Sequence, residues 1–337
     1  MKLSKLAALI LAGAMALSLT ACGGSSSSSA GSAPAGSSPA DPAAESYVVG
    51  ICQLVPHVAL DAATQGFKDA LNDALPVQVE FKEGVGAGDS ATCTPIVTDL
   101  VSSNVDLILA NATGALQAAN AATEDIPILG TSVTEYGVAL EIKDFNGTVG
   151  GNISGTSDLA PLSEQADMLI EWFPEAKTVG LLYCSAEANS QYQVDEVEKY
   201  LEAKGLTCTQ YPFADSNDMA AVTQTAAAES DVIYVPTDNT VASNTGIIDN
   251  ICRPAGIPVI AGEEGIRAGC GVATLSISYY DLGVATGKMA AKILTGEADI
   301  SEMAIGYAET VTPKYNPVIC EELNLTAPAD YVAIEVG

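Results

Sequence analysis

From Tyr47 onward, short runs of β-branched and aliphatic residues alternate with stretches whose apolar residues recur at helical spacing. Such alternation calls for a parallel sheet, because parallel neighbours must be joined by a long return segment, usually a helix. In the first series, strands fall at Tyr47 to Gln53, Val77 to Lys82, Asp106 to Ala110 and Pro127 to Gly130. The first helix between them aligns Leu60, Ala63, Phe67, Ala70, Leu71 and Ala74 on one core-facing stripe.

A second series begins after Asn152. It reads helix Leu162 to Phe173, strand Thr178 to Tyr183, helix Ser190 to Ala203, strand Leu206 to Tyr211, helix Asp218 to Ala228 and strand Asp231 to Val235. Further strands are expected at Pro258 to Ala261 and Val272 to Leu275. A helix from Tyr280 to Leu294 then returns to the first lobe on Leu282, Ala285, Met289 and Ile293. The expected fold class is α/β, with two doubly wound parallel-sheet lobes joined by a hinge. Lobe 1 covers 47–152 plus about 278–305, and lobe 2 covers 153–277 plus about 306–337. Crossings are expected near Gly151 to Ser157, at Thr274 to Ser278 and after Glu309, and paired lobes on such a hinge can close on a solute.

The first 46 residues have a different character. Lys2 and Lys5 precede the apolar run Leu6 to Leu19, and Leu19-Thr20-Ala21-Cys22 places small residues before a cysteine. That is a secretory lipoprotein signal over 1–22, too short to span a bilayer, with Cys22 as the lipidated first residue of the mature chain. Residues 23–46 are mostly Ser, Gly, Ala and Pro, a composition that cannot bury enough apolar surface to order itself, and they read as a tether. The chain is therefore expected outside the cell membrane, held to its outer face by a lipid.

The totals exclude more than they name. With 13 Lys+Arg against 42 Asp+Glu, the net charge of −29 repels nucleic acid but not a zwitterion. Of eight cysteines, setting Cys22 aside leaves seven, an odd number for an oxidising compartment. Cys184 with Cys208, and Cys252 with Cys270, are the candidate bridges. No CxxC or paired Cys/His spacing occurs, so no metal site is expected. A single histidine and the absence of GxSxG, HExxH or P-loop spacing argue against catalysis and against a cofactor. The stretch Gly84 to Asp89 reads as a turn capped by Asp89.

Ligands of open parallel sheets bind beyond the carboxyl ends of the strands. Those loops bring in Gln53, Leu54 and His57, then Ala112 and Thr113, then Ser132, Thr134 and Tyr136. From the second lobe come Glu187, Asn189 and Ser190, then Asp238 and Asn239, then Glu263. An amino acid needs donors for its carboxylate, acceptors for its ammonium and a wall for its side chain. Helix N-termini after Thr113, Ser132 and Ser190 would supply the first. Asp238 and Glu263 would supply the second, and Leu54, His57, Tyr136 and Tyr183 the third. Ser, Thr, Asn and Asp at these positions equally suit helix caps. The same residue types would also serve a nucleoside or sugar, and a closing cleft would equally serve a ligand sensor for a membrane partner.

Several stretches carry a resemblance. Val49 to His57 reads VGICQLVPH and is followed by Leu60-Asp61 and Gly66-Phe67; Asp106 to Thr113 reads DLILANAT. Glu187-Ala188-Asn189-Ser190, Tyr234 to Val241 (YVPTDNTV) and Tyr279 to Gly283 (YYDLG) complete the set. Together, from about Tyr47 to the C-terminus, they resemble the ABC transporter substrate-binding proteins that include tryptophan- and other aromatic-amino-acid-binding lipoproteins. The resemblance implies a type I periplasmic-binding-protein fold, no catalysis, an ABC permease and ATPase as partners, and often an aromatic amino acid as ligand. Where relatives read something like Val-Thr-Asp-Pro after the fourth strand, this chain has Val133-Thr134-Glu135-Tyr136, and the added tyrosine is expected to reshape the pocket wall.

Overall fold

The computed structural model describes residues 46–308 and 310–334. The signal, Cys22 and nearly all of the tether lie outside these residues. Among the described residues, no helix is long and apolar enough to cross a membrane.

The first series folds as β1 (Ser46–Gln53), α1 (Val58–Ala74), β2 (Gln78–Val85), α2 (Ser90–Ser102), β3 (Leu107–Asn111), α3 (Thr113–Ala122), β4 (Ile128–Thr131), the single turn α4 (Tyr136–Ala139) and β5 (Ile153–Ser157). The second runs α5 (Leu162–Trp172), β6 (Thr178–Cys184), α6 (Ala188–Ala203), β7 (Thr207–Phe213), α7 (Ser216–Glu229), β8 (Val232–Val235), α8 (Asn239–Ala242), α9 (Thr245–Ala255), β9 (Val259–Ala261), α10 (Glu264–Gly269) and β10 (Ala273–Ser276). Then come α11 (Tyr279–Leu294), β11 (Gly306–Tyr307), β12 (Thr312–Tyr315), α12 (Pro317–Glu322) and β13 (Val332–Ala333).

Among the described residues the strands form two sheets, ordered β2-β1-β3-β4-β5-β11 and β7-β6-β8-β9-β10-β12-β13. All pairings are parallel except β10 with β12. The fold class is thus the expected pair of doubly wound lobes. The assignment of strands to sheets differs from expectation at two points. Residues 153–157, expected to open lobe 2, form β5 and pair with β4 of the first sheet, and β11, also expected in lobe 2, pairs with β5. The run Ile153-Ser154-Gly155-Thr156-Ser157 is too polar to stand out as a strand, yet all five residues are buried because strands and helix α11 cover it. The crossings between sheets follow β5, β10 and β11.

Each sheet is covered on both faces. One face of the first carries α2 and α3, with Val97, Leu100 and Leu116 buried against Ile108. The other carries α1 and α11, with Phe67 and Leu71 against Leu107 and Leu109. Phe67 is fully buried, and its truncation to alanine would cost about 3–5 kcal/mol. The expected stripe of α1 ends at Leu71, since Ala74 is exposed and Leu75 takes the core position beyond it.

Helix α11 returns to lobe 1 as expected, with Met289 and Ile293 packed partly buried against its core. Leu282, Gly283, Thr286, Gly287 and Ala290 are buried, whereas Ala285 is exposed. Small residues face inward because α1 and α11 meet backbone to backbone. A Cβ at Gly283 would run into the carbonyl of Ala63, and one at Gly66 into that of Tyr280.

The candidate cysteine bridges do not form: Cys52, Cys93, Cys184, Cys208, Cys252, Cys270 and Cys320 are free thiols. Register explains the first pair. Cys184 lies opposite Phe213 and Cys208 opposite Val179, so the two sit five residues apart along neighbouring strands, about 16 Å and far beyond disulfide reach. Cys270 instead donates to the carbonyl of Ile266 at 3.4 Å within its own turn.

Candidate functional site

Strand order reverses between β1 and β3 in the first sheet and between β6 and β8 in the second, and such switch points are where open α/β sheets bind ligands. The loops there are Leu54–His57 and Ala112 of lobe 1, and Ser185–Glu187 and Pro236–Asp238 of lobe 2. The lobes meet across this gap, with His57 Nε2 3.3 Å from Asn239 Oδ1.

Two chambers flank Asn239. The outer one, of about 440 Å³, is within the usual range for a small-molecule site. It is bounded by Leu54, Ser90, Thr113 and Gln117 of lobe 1 and by Glu187 and Asn189 of lobe 2. The inner one, of about 10 Å³, holds one water-sized group. It is bounded by His57 and Leu60, by Asp158 at the first crossing, by Asp238, Asn239 and Glu263 of lobe 2, and by Tyr279 at the second crossing.

The lobe 2 carboxylates in this region are already engaged. Glu187 accepts from the backbone N–H of Asn239 (3.0 Å) and Thr240 (2.8 Å), from Thr240 Oγ1 (2.8 Å), and from the side-chain amides of Asn239 (2.8 Å) and Asn189 (3.2 Å). Asp238 caps α8 through Val241 N and also accepts from Cys184 N at 2.7 Å. Glu263 caps α10 through the N–H groups of Gly265 and Ile266. Asn189 and Gln193 both donate to the carbonyl of Thr237, and Ser190 Oγ accepts from Asn189. The cap reading weighed for Asp238 is therefore what the structure shows. Burial pushes Asp238 up to about 8, with the charge of Glu187 adding to it, and pushes Glu263 up to about 7, with Asp158 adding.

Lobe 1 presents the opposite condition. Its carboxyl edge holds buried polar atoms without a partner: His57 Nδ1, Asn111 Oδ1, Ser132 Oγ and, where β5 leaves the sheet, Asp158 Oδ1. Buried polar atoms are nearly always paired, so each calls for an explanation. Asp158 is 3% exposed and accepts from Tyr279 at 2.8 Å through Oδ2 only. Burial raises its pKa, partly offset by the hydroxyl of Tyr279. Helix α3 starts behind Ala112 with no side-chain cap, so the N–H groups of its first turn lack one. Ala112 (φ 85°) and Ser132 (φ 54°) both occupy the left-handed region that non-glycine residues avoid, each directly after one of the adjacent strands β3 and β4. Strain of this kind clusters at ligand sites.

Other expected site residues serve the framework. Gln53 braces the β1–α1 turn, donating to Val55 O and Asp61 and accepting from Thr64. Tyr136 points behind β4, its hydroxyl donating to Thr156 O at 3.1 Å in a niche that only Gly130 and Gly155 leave open, so it does not form a cleft wall. The Tyr183 hydroxyl lies 2.8 Å from the side-chain amides of both Gln191 and Gln210. No helix follows Ser132 directly, because α4 starts only at Tyr136; Ser190 lies inside the first turn of α6. Thr134 lies beside Asp158, and its carbonyl accepts from Ser157. Asp158 itself was not among the expected site residues. The signal was an acid directly after a five-residue run bounded by Gly151 and Pro161, in a strand the hydropathy pattern did not reveal.

Comparison with known proteins agrees with this architecture. The family model described as ABC transporter substrate binding protein matches residues 48–333. A tyrosine-binding protein of Clostridioides difficile is 33% identical over 303 residues, 88% of this chain and 86% of that protein. The structure of an ABC domain in complex with L-Trp from Streptococcus pneumoniae is 31% identical, with TM-score 0.79 over 84% of this chain and 96% of that one. A substrate binding protein with adhesive properties from Clostridium difficile, in its ligand-free, open form, is 34% identical with TM-score 0.65 over 86% and 100%. Overlap is greater with the L-Trp complex than with the open form despite similar identity, which matches the contact of His57 with Asn239 across the cleft. The paired sheets, the polar crevice at both switch points and the family match over nearly the whole folded region place this chain in the family of ABC transporter substrate-binding proteins.

Proposed function

We propose that this protein captures an α-amino acid, with an aromatic one favoured, in the cleft between its lobes and delivers it to an ABC permease and ATPase. In this reading it works outside the cell membrane, tethered by a lipid on Cys22, and breaks no bond. The observation that carries the reading is the unpaired Oδ1 of Asp158 in a chamber the size of an ammonium group. An –NH₃⁺ seated there meets Asp158 and Glu263, two acids whose pKa values are raised chiefly by burial. Ser132 and the uncapped first turn of α3 offer O–H and N–H donors to the carboxylate. The N-terminus of α6 is also without a side-chain cap, but Glu187 adjoins it and would repel an anion. The side chain extends into the outer chamber, whose small residues Ala87, Gly88, Ala91, Gly114, Ala186 and Ala188 leave room for a large group. The relatives named for tyrosine and crystallised with L-Trp support the aromatic preference.

The test is calorimetry and thermal unfolding of ligand-free protein against the twenty amino acids, nucleosides and sugars. A bound amino acid at a hundredfold excess over Kd adds about 2.7 kcal/mol of stability. Tyrosine and tryptophan are expected to bind. A panel in which only a nucleoside or sugar raises the unfolding midpoint overturns the proposal.

A further inference from the structure

The lone histidine of the chain stands at the lobe boundary, ahead of α1, and the bonds around it fix its chemistry. Glu187 holds the side-chain amide of Asn239 by its nitrogen at 2.8 Å, and the same carboxylate oxygen takes the Asn239 backbone N–H. The amide oxygen of Asn239 is therefore turned to His57, and an amide oxygen only accepts. His57 Nε2 carries the proton of that 3.3 Å contact, and Nδ1, buried and without a partner, keeps its lone pair.

We infer that His57 both closes and reads the cleft, its Nε2–H latching lobe 1 to Asn239 of lobe 2 while its bare Nδ1 accepts a hydrogen bond from the ammonium of the bound amino acid. The second half rests on the proposed function, and the first does not. Three N–H donors of an ammonium then meet three acceptors around the inner chamber: Asp158, Glu263 and His57. The titratable groups facing the imidazole are Asp61 on its own helix, Glu187, Asp158, Asp238, Glu263 and Tyr279. Burial lowers the His57 pKa more than Asn239 and the nearby acids raise it, so the neutral ring prevails at neutral pH. A proton on Nδ1 would face the ammonium at contact distance, so protonated His57 and bound ligand exclude each other.

Because the sequence contains a single histidine, imidazole ¹⁵N–¹H correlation spectra of the untagged full chain report this residue alone. The expected result at pH 7.5 is the Nε2–H tautomer without ligand, a shift of the Nδ1 resonance on saturation with tyrosine, and a histidine pKa lowered further in the complex. Asn239→Ala should widen the protein in solution scattering and weaken tyrosine about tenfold. An Nδ1–H tautomer in the wild-type chain overturns the latch without touching amino-acid binding. An Nδ1 resonance unmoved while calorimetry shows tyrosine bound overturns the contact alone. A chain that binds no amino acid removes the contact together with the proposed function, leaving the latch to be decided by the tautomer.

Discussion

The two lobes bring opposite kinds of polar surface to the same cleft. In lobe 2, Glu187, Asn189, Gln193 and Asp238 are tied to one another or to backbone N–H and C=O groups before any ligand arrives. In lobe 1 and the strand leaving it, Ser132, His57 and Asp158 each keep an unpaired atom, and α3 keeps an open N-terminus. Satisfied polar networks stiffen a structure, whereas unpaired buried groups cost stability until a partner comes. Lobe 2 is therefore a prebuilt template, and lobe 1 with its hinge strand holds the unmet demand that a ligand fills. Substitutions in the first should register mainly in folding stability, and those in the second mainly in affinity.

The sharpest way to break that contrast is Asp158→Asn. Removing one member of a buried charge pair typically costs several kcal/mol of binding, so amino-acid affinity should fall about a hundredfold or more in calorimetry. The ligand-free protein should melt no lower than the parent, because a buried uncompensated acid has been removed. Unchanged affinity would move the ammonium elsewhere.

Acidity gives the next largest effect. Glu263 is raised from 4.5 to about 7 and Asp238 from 3.8 to about 8, so the folded, ligand-free chain holds protons that the unfolded chain releases. Stability of the ligand-free form should thus be greatest near pH 5 and decline as pH rises toward 8. Affinity should run the other way, falling about tenfold from pH 8 to pH 6 as the acids that receive the ammonium take up protons. Melting curves and titrations at both pH values check the pair of trends. Glu263→Gln should flatten its share of each.

Two smaller changes test each lobe separately. Ser132→Ala, which deletes one donor to the carboxylate, should weaken binding by several-fold with little change in melting temperature. Asp238→Ala removes a helix cap worth about 0.5–2 kcal/mol, enough to lower the melting temperature by a few degrees. Its effect on affinity should stay within about threefold, and a larger loss would return Asp238 to direct ligand contact.

Much of the fold was legible because periodicity survives wherever strands are apolar on both faces, as in Leu107–Asn111 and Val232–Val235. It failed at β5, where Ser154, Thr156 and Ser157 are buried among hydroxyls and Gly155 lets Tyr136 approach. It also missed the small residues on the inward face of α11, Gly283, Thr286 and Gly287, which close contact between backbones requires there. The site was legible as a set of loops but not as a division of labour. Sequence cannot distinguish an Asp that caps a helix, as Asp238 does, from one left open, as Asp158 is, since both follow a strand and precede a turn.

The seam between α1 and α11 bears on how the chain matures. Nothing wider than a hydrogen fits where Gly66 meets the carbonyl of Tyr280 and Gly283 that of Ala63, and this contact joins the opening of the folded region to a helix that emerges only after ten strands have been made. Lobe 1 consequently cannot complete its core during early synthesis; its final piece arrives late, so the chain stays pliable until most of it exists.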